Sequence, residues 1–196
     1  MARRRDGQAL IFAHHLHELR AKVVAPVLSQ LQPIPRELVG GARGFIVQIA
    51  RDKSHNALCY EARLSFALTV GALFERNLRL WLSAGQTALR PLIERADRAT
   101  LVKHIVDVKG ATAASMFQTA NLIELWELVS TARHGDGPSA RRLKALNPGL
   151  WSHQDAETQI LYESVGLRAH AIRVHDADLE RYFGATISFW QKVSVW

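Results

Sequence analysis

Apolar residues recur at steps of three and four along most of the chain, which is the spacing of side chains on one face of an α-helix. The first run predicts a helix over residues 7–31, with a bend at Pro26. Pro33 and Pro35 end it, because proline lacks an amide donor and its ring clashes with the preceding turn. A glycine-rich loop then precedes a short apolar segment, Phe45–Ala50, whose pattern is compatible with a helix.

The clearest helical pattern begins at Asp52 or Ser54 and ends at Ser83. Its apolar positions form one stripe, which consists of Leu64, Ala67, Leu68, Gly71, Phe74, Leu78 and Trp81. The charged positions lie off that stripe or at its margin, and they are Arg63, Glu75, Arg76 and Arg79. A helix with one continuous apolar face usually buries that face against a core. The pattern therefore predicts the central helix of the fold.

Three further helices are predicted after this one. Pro91 suits the first turn of a helix over 91–108, and Gly110 marks its end. A longer helix is predicted over 112–134, and a short one over 138–146. The apolar face of the longer helix is formed by Leu122, Leu125, Trp126, Val129 and Ala132.

The pattern changes beyond residue 150. Short segments with β-branched residues flank Gly166 and predict a small β-hairpin over 158–174. Asp176 is then expected to cap a last helix, 177–193. The apolar face of that helix consists of Leu179, Tyr182, Phe183, Ile187 and Trp190. The sum is an all-α, single-domain bundle of about five to seven helices with its core in residues 7–146 and the hairpin as a minor addition.

Length and composition narrow the class of protein. A chain of 196 residues is long enough for one well-packed domain. It contains no uninterrupted apolar run near the roughly 20 residues of a membrane span, and no secretory signal. The single cysteine, Cys59, lies in a helical apolar stripe, which favours a buried thiol over a nucleophile. We therefore expect a soluble, cytoplasmic protein.

The charge balance favours an anionic partner. Lysine and arginine number 25 against 18 acidic residues, a formal net charge of +7, and 19 of the 25 cations are arginine. Arginine presents a planar fork of donors that suits phosphate, so the excess fits RNA or another polyanion. Apart from residues 3–5 the cations are dispersed, and a generic surface charge explains them equally well.

The strongest candidate for chemistry is the junction at Arg133, His134 and Gly135, where a helical pattern stops at a tight turn. At such an end His134 can serve as a general acid or base while Arg133 stabilises a phosphoryl charge and Asp136 orients the imidazole. A purely structural interpretation is equally physical. Cations complement the helix dipole, Gly135 supplies a left-handed cap, and Asp136 with Ser139 caps the next helix.

Other chemical groups carry weaker signals. His14, His15, His17 and Glu18 have helical spacings that could hold a metal, but two or three ligands on one helix need a partner from elsewhere. Carboxylates on the long helices, Glu75, Glu124 and Glu127, are expected on exposed faces, and the sequence does not indicate how they pair. Phosphate-binding glycine loops and a Gly-x-Ser-x-Gly elbow are absent from the sequence. We expect neither a metal nor a cofactor.

Several of these features together resemble uncharacterised bacterial proteins of the HEPN-like type. They are the helix pair over 54–82 and 112–134, the string Arg-His-Gly-Asp-Gly-Pro-Ser-Ala-Arg-Arg-Leu over 133–143, and a closing helix with Asp-Leu-Glu-Arg-Tyr and Phe-Trp. The resemblance implies a helical bundle, usually dimeric, from toxin–antitoxin, abortive-infection or other anti-phage systems. Many such domains are metal-independent ribonucleases with an Arg-x(4 to 6)-His motif, and others are non-catalytic partners of nucleotidyltransferases.

The chain departs from that motif, because Arg133 and His134 are adjacent. Arg98 with His104 and Arg168 with His175 have the family spacing, but a chain with 19 arginines and nine histidines contains such pairs by chance.

Two hypotheses follow from the resemblance. In the first, the protein binds or cleaves RNA with Arg133 and His134 as catalytic residues, completed by the second subunit of a homodimer. Binding would then involve Asp136, Arg141, Arg142 and Glu75. In the second, the protein is a non-catalytic interaction module, an accessory or antitoxin-like subunit with a partner protein.

Overall fold

The computed structural model describes residues 6–34, 44–151 and 171–195, and for 44–50 it describes the backbone. Almost all of this is helical, and no strand occurs within these ranges. The prediction of an all-α fold is confirmed for the described part of the chain. The predicted hairpin, 158–174, lies outside it except for 171–174, which are not extended into a strand.

The N-terminal helical segment consists of α1 (Gly7–Leu19), a π-helical turn (Arg20–Val24) and α2 (Ala25–Gln30). Asp6 caps α1 by accepting the backbone N–H groups of Gln8 and Ala9 at 3.1 and 3.2 Å. Ahead of Pro26, the Ala25 N–H donates to the carbonyl of Arg20, five residues back. The proline predicted to bend the helix is thus accommodated by a wider turn, since a π turn relieves the clash of the ring with the preceding carbonyl.

The central helix, α3 (Gly44–Ser83), is longer than the pattern predicts. It begins at Gly44 rather than at Asp52 or Ser54, so that the short segment Phe45–Ala50 is part of it. The buried positions include Ala67, Val70, Phe74, Leu78 and Trp81, which confirms its predicted place in the core.

Part of α3, Arg51–Ser83, is long and apolar enough to cross a membrane when length and composition alone are considered, because it contains an 18-residue stretch with a mean hydropathy of 1.3. The sequence shows no uninterrupted apolar run there, because Glu61 and Arg63 interrupt it. A mean hydropathy averages over such residues, and core helices of water-soluble proteins reach similar values.

The middle of the chain is divided into more helices than predicted. They are α4 (Arg90–Arg95), α5 (Arg98–Lys109), α6 (Ala111–Phe117), α7 (Ala120–His134) and α8 (Pro138–Leu146), followed by a 3-10 turn (Pro148–Trp151). The single helix predicted over 91–108 is wrong, because Asp97 caps α5 by accepting the Thr100 N–H at 2.8 Å and Ala96 is extended. The helix predicted over 112–134 is likewise divided at Gln118 and Thr119.

The last helix, α9 (Asp176–Val193), packs against α1, α3 and α7. Leu179, Tyr182, Phe183 and Trp190 are buried as predicted, whereas Ile187 is only partly buried. Around α9 the core is rich in aromatic rings, namely Phe12, Phe74, Trp81, Phe117, Phe189 and Trp190. The first helix thereby reaches the last, with ring centroids of Phe12 and Trp190 4.9 Å apart.

Asp176 does not act as the predicted cap of this helix. The helix begins at Asp176 itself, and His175 occupies the cap position, where its N–H donates to the Asp178 carboxylate at 2.9 Å. The Asp176 carboxylate instead accepts from the buried guanidinium of Arg63 at 2.7 and 3.3 Å. Arg63, which the pattern places off the apolar stripe, is therefore an internal tie between α3 and α9.

Candidate anion-binding site

A cavity of about 210 Å³ lies between α3, α7 and the start of α5. Its polar and charged lining consists of Glu75, Arg79, Asp97, Arg98, Ser130, Arg133 and His134. Three residues singled out from the sequence, Glu75, Arg133 and His134, thus meet at one cavity. Arg98 belongs to the same cavity, although in the sequence it stands out only as one member of a chance Arg/His pair.

The close approach of α3 and α7 depends on Gly71. A Cβ atom at this position would overlap the Cγ2 methyl of Val129 and touch Leu125. One turn further along each helix, Glu75 of α3 meets Arg133 of α7 with 3.3 Å between Oε2 and Nη1. The absence of a side chain at Gly71 therefore sets the spacing at which these two charges pair.

Glu75 is the centre of a small charge network. Arg79 donates to its Oε1 from Nε at 3.2 Å and from Nη2 at 2.7 Å, and Arg133 reaches the other oxygen. Arg79 also donates to backbone carbonyls at the end of α4, among them Ile93 and Ala96. Arg79 thus connects α3 to α4, whereas Arg133 keeps about half of its side chain, 53%, exposed to solvent.

Arg98 differs from these arginines in lacking a hydrogen-bond or ion-pair partner. It is half-buried, and its Nε is buried without a hydrogen bond. No hydrogen bond or ion pair to its guanidinium is formed by any residue within the described ranges. Its guanidinium carbon lies 5.8 Å from the centroid of the Phe117 ring. A half-buried cation of this kind attracts an anion.

Burial lowers the pKa of the Arg98 guanidinium from its ordinary value. The Glu127 carboxylate acts in the opposite direction, and the neighbouring Arg142 adds to the lowering. An arginine nevertheless keeps its proton at neutral pH, because its intrinsic pKa is above about 12. The cavity therefore contains a charge that pays a desolvation cost without a compensating ion pair.

His134 stands at the exposed end of α7. Gly135 ends the helix with a φ of 72°, and its N–H donates to the carbonyl of Thr131 at 2.8 Å. The positive φ expected of a glycine cap is confirmed for Gly135, although its ψ of −150° lies outside the left-handed helical region. The prediction that Asp136 with Ser139 caps the next helix is wrong in its cap position, because Gly137 is the cap residue of α8.

The residues after Gly135 separate in space. The Ser139 hydroxyl pairs with that of Ser130 at 2.8 Å instead of capping α8. Asp136, predicted to orient His134, lines a different cavity with Glu61 and Leu64. Arg141 is exposed and lines neither the cavity beside His134 nor the larger cavity next to that one.

A second cavity of about 620 Å³ lies beside the first, between the start of α5, α7 and α8. It shares Asp97, Arg98, Trp126 and Ser130 with the smaller cavity and adds an apolar side formed by residues such as Ile123 and Leu146. At its edge Arg142 binds the Glu127 carboxylate through Nε and Nη2, both at 3.0 Å. These hydrogen bonds raise the pKa of the Arg142 guanidinium.

Two carboxylates expected on exposed faces are in fact buried. Glu127 and Glu124 of α7 have side chains only 6% and 7% exposed. Ala132, placed on the apolar face by the pattern, is exposed instead. The buried face of α7 thus includes charged positions, because arginines from later helices compensate them.

Glu124 has a complete set of partners. It accepts from Tyr182 at 2.6 Å, from Asn147 at 2.9 Å, and from two nitrogens of Arg181 at 3.0 and 3.1 Å. Burial by itself raises the pKa of this carboxyl, but the hydrogen bonds from Arg181, Tyr182 and Asn147 together outweigh burial and hold the pKa below its ordinary value. Arg181 also binds Asp178 at 2.6 Å, so the network connects α7 and α9.

The other sequence candidates do not join the cavity. Within the described ranges no group of three or more His, Cys, Asp or Glu side chains is placed to hold a metal ion. His14, His15 and His17 are exposed on α1, and Glu18 pairs with Lys22. His104 lines neither cavity beside Arg98, and Arg168, the partner of His175 in the family spacing, lies outside the described residues.

Cys59 is fully buried, as predicted, with its Sγ 3.4 Å from the His55 Nε2.

No protein-family model matches this chain, and neither a curated protein nor a solved structure matches it.

Proposed function

We propose that the protein is a cytoplasmic, HEPN-like helical protein that binds RNA, with a phosphate held in the cavity that Arg98, Arg133 and His134 line. The observation that carries the proposal is the half-buried guanidinium of Arg98, which has no hydrogen-bond or ion-pair partner among the described residues. A phosphate there would supply the missing acceptors through charge-assisted hydrogen bonds. The net charge of +7 adds a sequence-independent attraction for the RNA backbone.

The exposed rim of the cavity supports a role in cleavage as well. Arg133 and His134 lie at the C-terminal end of α7, where the helix dipole favours cations. In this proposal the ribose 2′-oxygen forms a bond to the adjacent phosphorus and the bond to the 5′-oxygen breaks. His134 takes the 2′-hydroxyl proton, and a second protonated imidazole supplies one to the departing 5′-oxygen. Arg133 stabilises the charge on the pentacoordinate phosphorus, and the products are a 2′,3′-cyclic phosphate and a 5′-hydroxyl.

A homodimer completes this mechanism, because the described part of one chain brings only one histidine to the cavity. The second imidazole would be His134 of another copy. Light scattering after size exclusion tests this requirement directly, since a stable monomer that cleaves RNA would contradict it.

RNA binding is tested by fluorescence anisotropy with a labelled single strand. Arg98→Gln is expected to weaken binding at least about tenfold, because it removes a charge-assisted contact. Arg76→Gln is the matched control, since it removes an equal charge from an exposed residue that lines neither cavity. Equal losses in both variants would assign binding to general surface charge and overturn the site.

Cleavage is tested separately from binding. His134→Ala is expected to abolish cleavage while leaving RNA affinity within a few fold of the parent protein. His15→Ala, which removes an exposed histidine on α1, is the control for folding and protein quality. Absence of cleavage by the parent protein, or equal rates in parent and His134→Ala, would remove the catalytic part of the proposal.

A non-catalytic interaction module is the second candidate function, and the pairing of Arg133 favours it. Its guanidinium already contacts Glu75, which in turn binds Arg79, so Arg133 has a structural role available. In that case Arg133→Ala and His134→Ala change the thermal stability or the oligomeric state, and no RNA-dependent activity changes.

A further inference from the structure

We infer that the two adjacent cavities together hold one nucleotide with its base unstacked, the phosphate in the smaller cavity and the base against Trp126 in the larger one. This inference rests on the proposed function and specifies which form of nucleic acid the site accepts. It starts from the wall between the cavities, because Arg98, Trp126 and Ser130 line both of them.

The two cavities differ in the chemistry they offer. The smaller one, of about 210 Å³, is lined by Arg79, Arg98 and Arg133 and by the carboxylates of Glu75 and Asp97, and the excess of cations over carboxylates suits a compact anionic group. The larger one, of about 620 Å³, lies in the range of about 300–1,000 Å³ that is typical of sites for small organic molecules. Its wall combines Trp126 with aliphatic side chains such as Ile123 and Leu146. A planar heterocycle attached to a phosphate matches both environments at once.

Trp126 is placed to stack with such a heterocycle. It is only half-buried, although the helical pattern assigns it to the core face of α7. The Phe117 ring lies perpendicular to it, with an interplanar angle of 89° and 5.9 Å between the centroids. Phe117 is itself buried and contacts the Arg98 guanidinium. One core ring therefore supports both Trp126, the proposed stacking residue, and Arg98, the proposed phosphate-binding residue.

This arrangement favours single-stranded RNA or a free nucleotide over a duplex. Bases in a duplex are stacked and paired, and their planes reach a protein only after the nucleotide is rotated out of the helix. In a single strand the bases are available to aromatic side chains without that cost. The common chemistry is a nucleoside phosphate, and its two sources are separated by the choice of probe.

The experiment compares four probes by anisotropy or by quenching of tryptophan fluorescence. They are a single-stranded RNA, the same strand with abasic positions, the corresponding duplex, and adenosine monophosphate. We expect the single strand to bind about tenfold more tightly than the abasic strand and the duplex. Adenosine monophosphate binding as tightly as the single strand would identify a free nucleotide as the ligand and would still support the inference.

Substitution of the stacking residue gives a second, independent readout. Trp126→Leu should weaken the base-containing strand about tenfold and leave the abasic strand unchanged, whereas Trp126→Phe, which keeps a ring, should recover most of the affinity. If Trp126→Leu does not fold, the comparison of intact and abasic strands with the parent protein decides alone.

Failure of the inference and failure of the proposed function have different signatures. Equal affinity for the intact and the abasic strand overturns the base subsite, while tight binding of both that depends on Arg98 leaves RNA binding in place. Absence of binding to every probe overturns both.

Discussion

Two groups of charged side chains lie beside helix α7, and they differ in how completely their hydrogen bonds are satisfied. Near the start of the helix, Glu124 accepts hydrogen bonds from Arg181, Tyr182 and Asn147. Near its end, the cavity contains Arg98, whose guanidinium has no hydrogen-bond partner among the described residues. Arginine and glutamate therefore stabilise the fold near the start of α7, whereas the arginine near its end keeps unused hydrogen-bond donors.

This difference in hydrogen-bond partners indicates where a bound ligand would stabilise the protein. A buried carboxylate with all of its acceptors occupied gains nothing from a further partner, and its loss leaves several donors unpaired. A half-buried cation without a partner costs stability until an anion reaches it. Burial alone does not distinguish the two groups, but the inventory of partners does.

The largest effect on stability is expected from Glu124→Ala, which removes the carboxylate that Arg181, Tyr182 and Asn147 bind. The buried Tyr182 hydroxyl then loses its hydrogen-bond acceptor, and Arg181 keeps Asp178 and Asn121 as its remaining acceptors. Because Arg181 is 38% exposed and partly solvated, we expect a loss of about 3 kcal/mol, at the lower end for a broken buried pair. Urea denaturation measures it, with Glu61→Ala on the exposed side of α3 as the control. A loss within 0.5 kcal/mol, the size of an ordinary surface substitution, would contradict the structural role of the network.

A smaller effect is expected at the helix contact that positions the cavity. Gly71→Ala forces a methyl group against Val129 and should cost about 1–2 kcal/mol, despite the better helix propensity of alanine. Combining it with Val129→Ala restores the space, so the double variant should be more stable than the sum of the two single changes. Additive losses in a thermal or urea denaturation cycle would show that this contact does not limit the approach of α3 and α7.

The pH dependence of stability separates the groups in another way. Since the pKa of Glu124 is held below its ordinary value, its ionised form contributes stability above about pH 4.5, and that contribution is lost as the pH falls through the folded pKa. Glu124→Gln lacks the contribution at every pH. In urea titrations, the stability difference between parent and variant should therefore stay level from pH 6 to about pH 4.5 and shrink as the pH falls from there to pH 3. A difference that stays constant over this range would be inconsistent with an ionised Glu124 in the folded protein.

The smallest change in the free energy of unfolding, and one of opposite sign, is expected from substitution of Arg98. Arg98→Met removes a half-buried charge without a partner while keeping the apolar stem. We expect the free energy of unfolding to stay constant or to rise by about 0.5–1 kcal/mol, as is common when a residue kept for function is replaced. The same variant should lose RNA affinity. A destabilisation above about 1 kcal/mol would mean that Arg98 is part of the framework rather than a ligand-binding residue.

The sequence allows prediction of those elements whose apolar spacing is regular. The core stretch of α3 and most of the buried face of α9 follow from periodicity alone, because burial of one face is what the spacing encodes. The helix break at Asp97 was missed, since Asp97 is one of several polar residues in a continuous helical pattern. Its role depends on a local hydrogen bond to Thr100 that competes with helix continuation.

The residues of the candidate site likewise divide into those that the sequence indicates and those that only the structure shows. Arg133 and His134 could be singled out because a helix end is visible in the sequence, and the structure places both at one cavity with Glu75. The burial of Glu124 could not be predicted, because Arg181 lies 57 residues away. Arg98 was missed for the same reason, since it enters the cavity from a different helix. Asp136 and Arg141 follow closely in sequence but line other surfaces.

The π-helical turn Arg20–Val24 has a consequence for how this chain tolerates changes in length. Such a turn contains one residue more than an α-helix needs to cover the same rise, so it can be regarded as an insertion absorbed within the helix. Removing one residue there would rotate everything before it by about 100° relative to α2. Phe12 would then leave its place beside Trp190, 4.9 Å away, and the edge of the core would open. The number of residues between Leu19 and Pro26 is therefore as constrained as the identity of the core side chains.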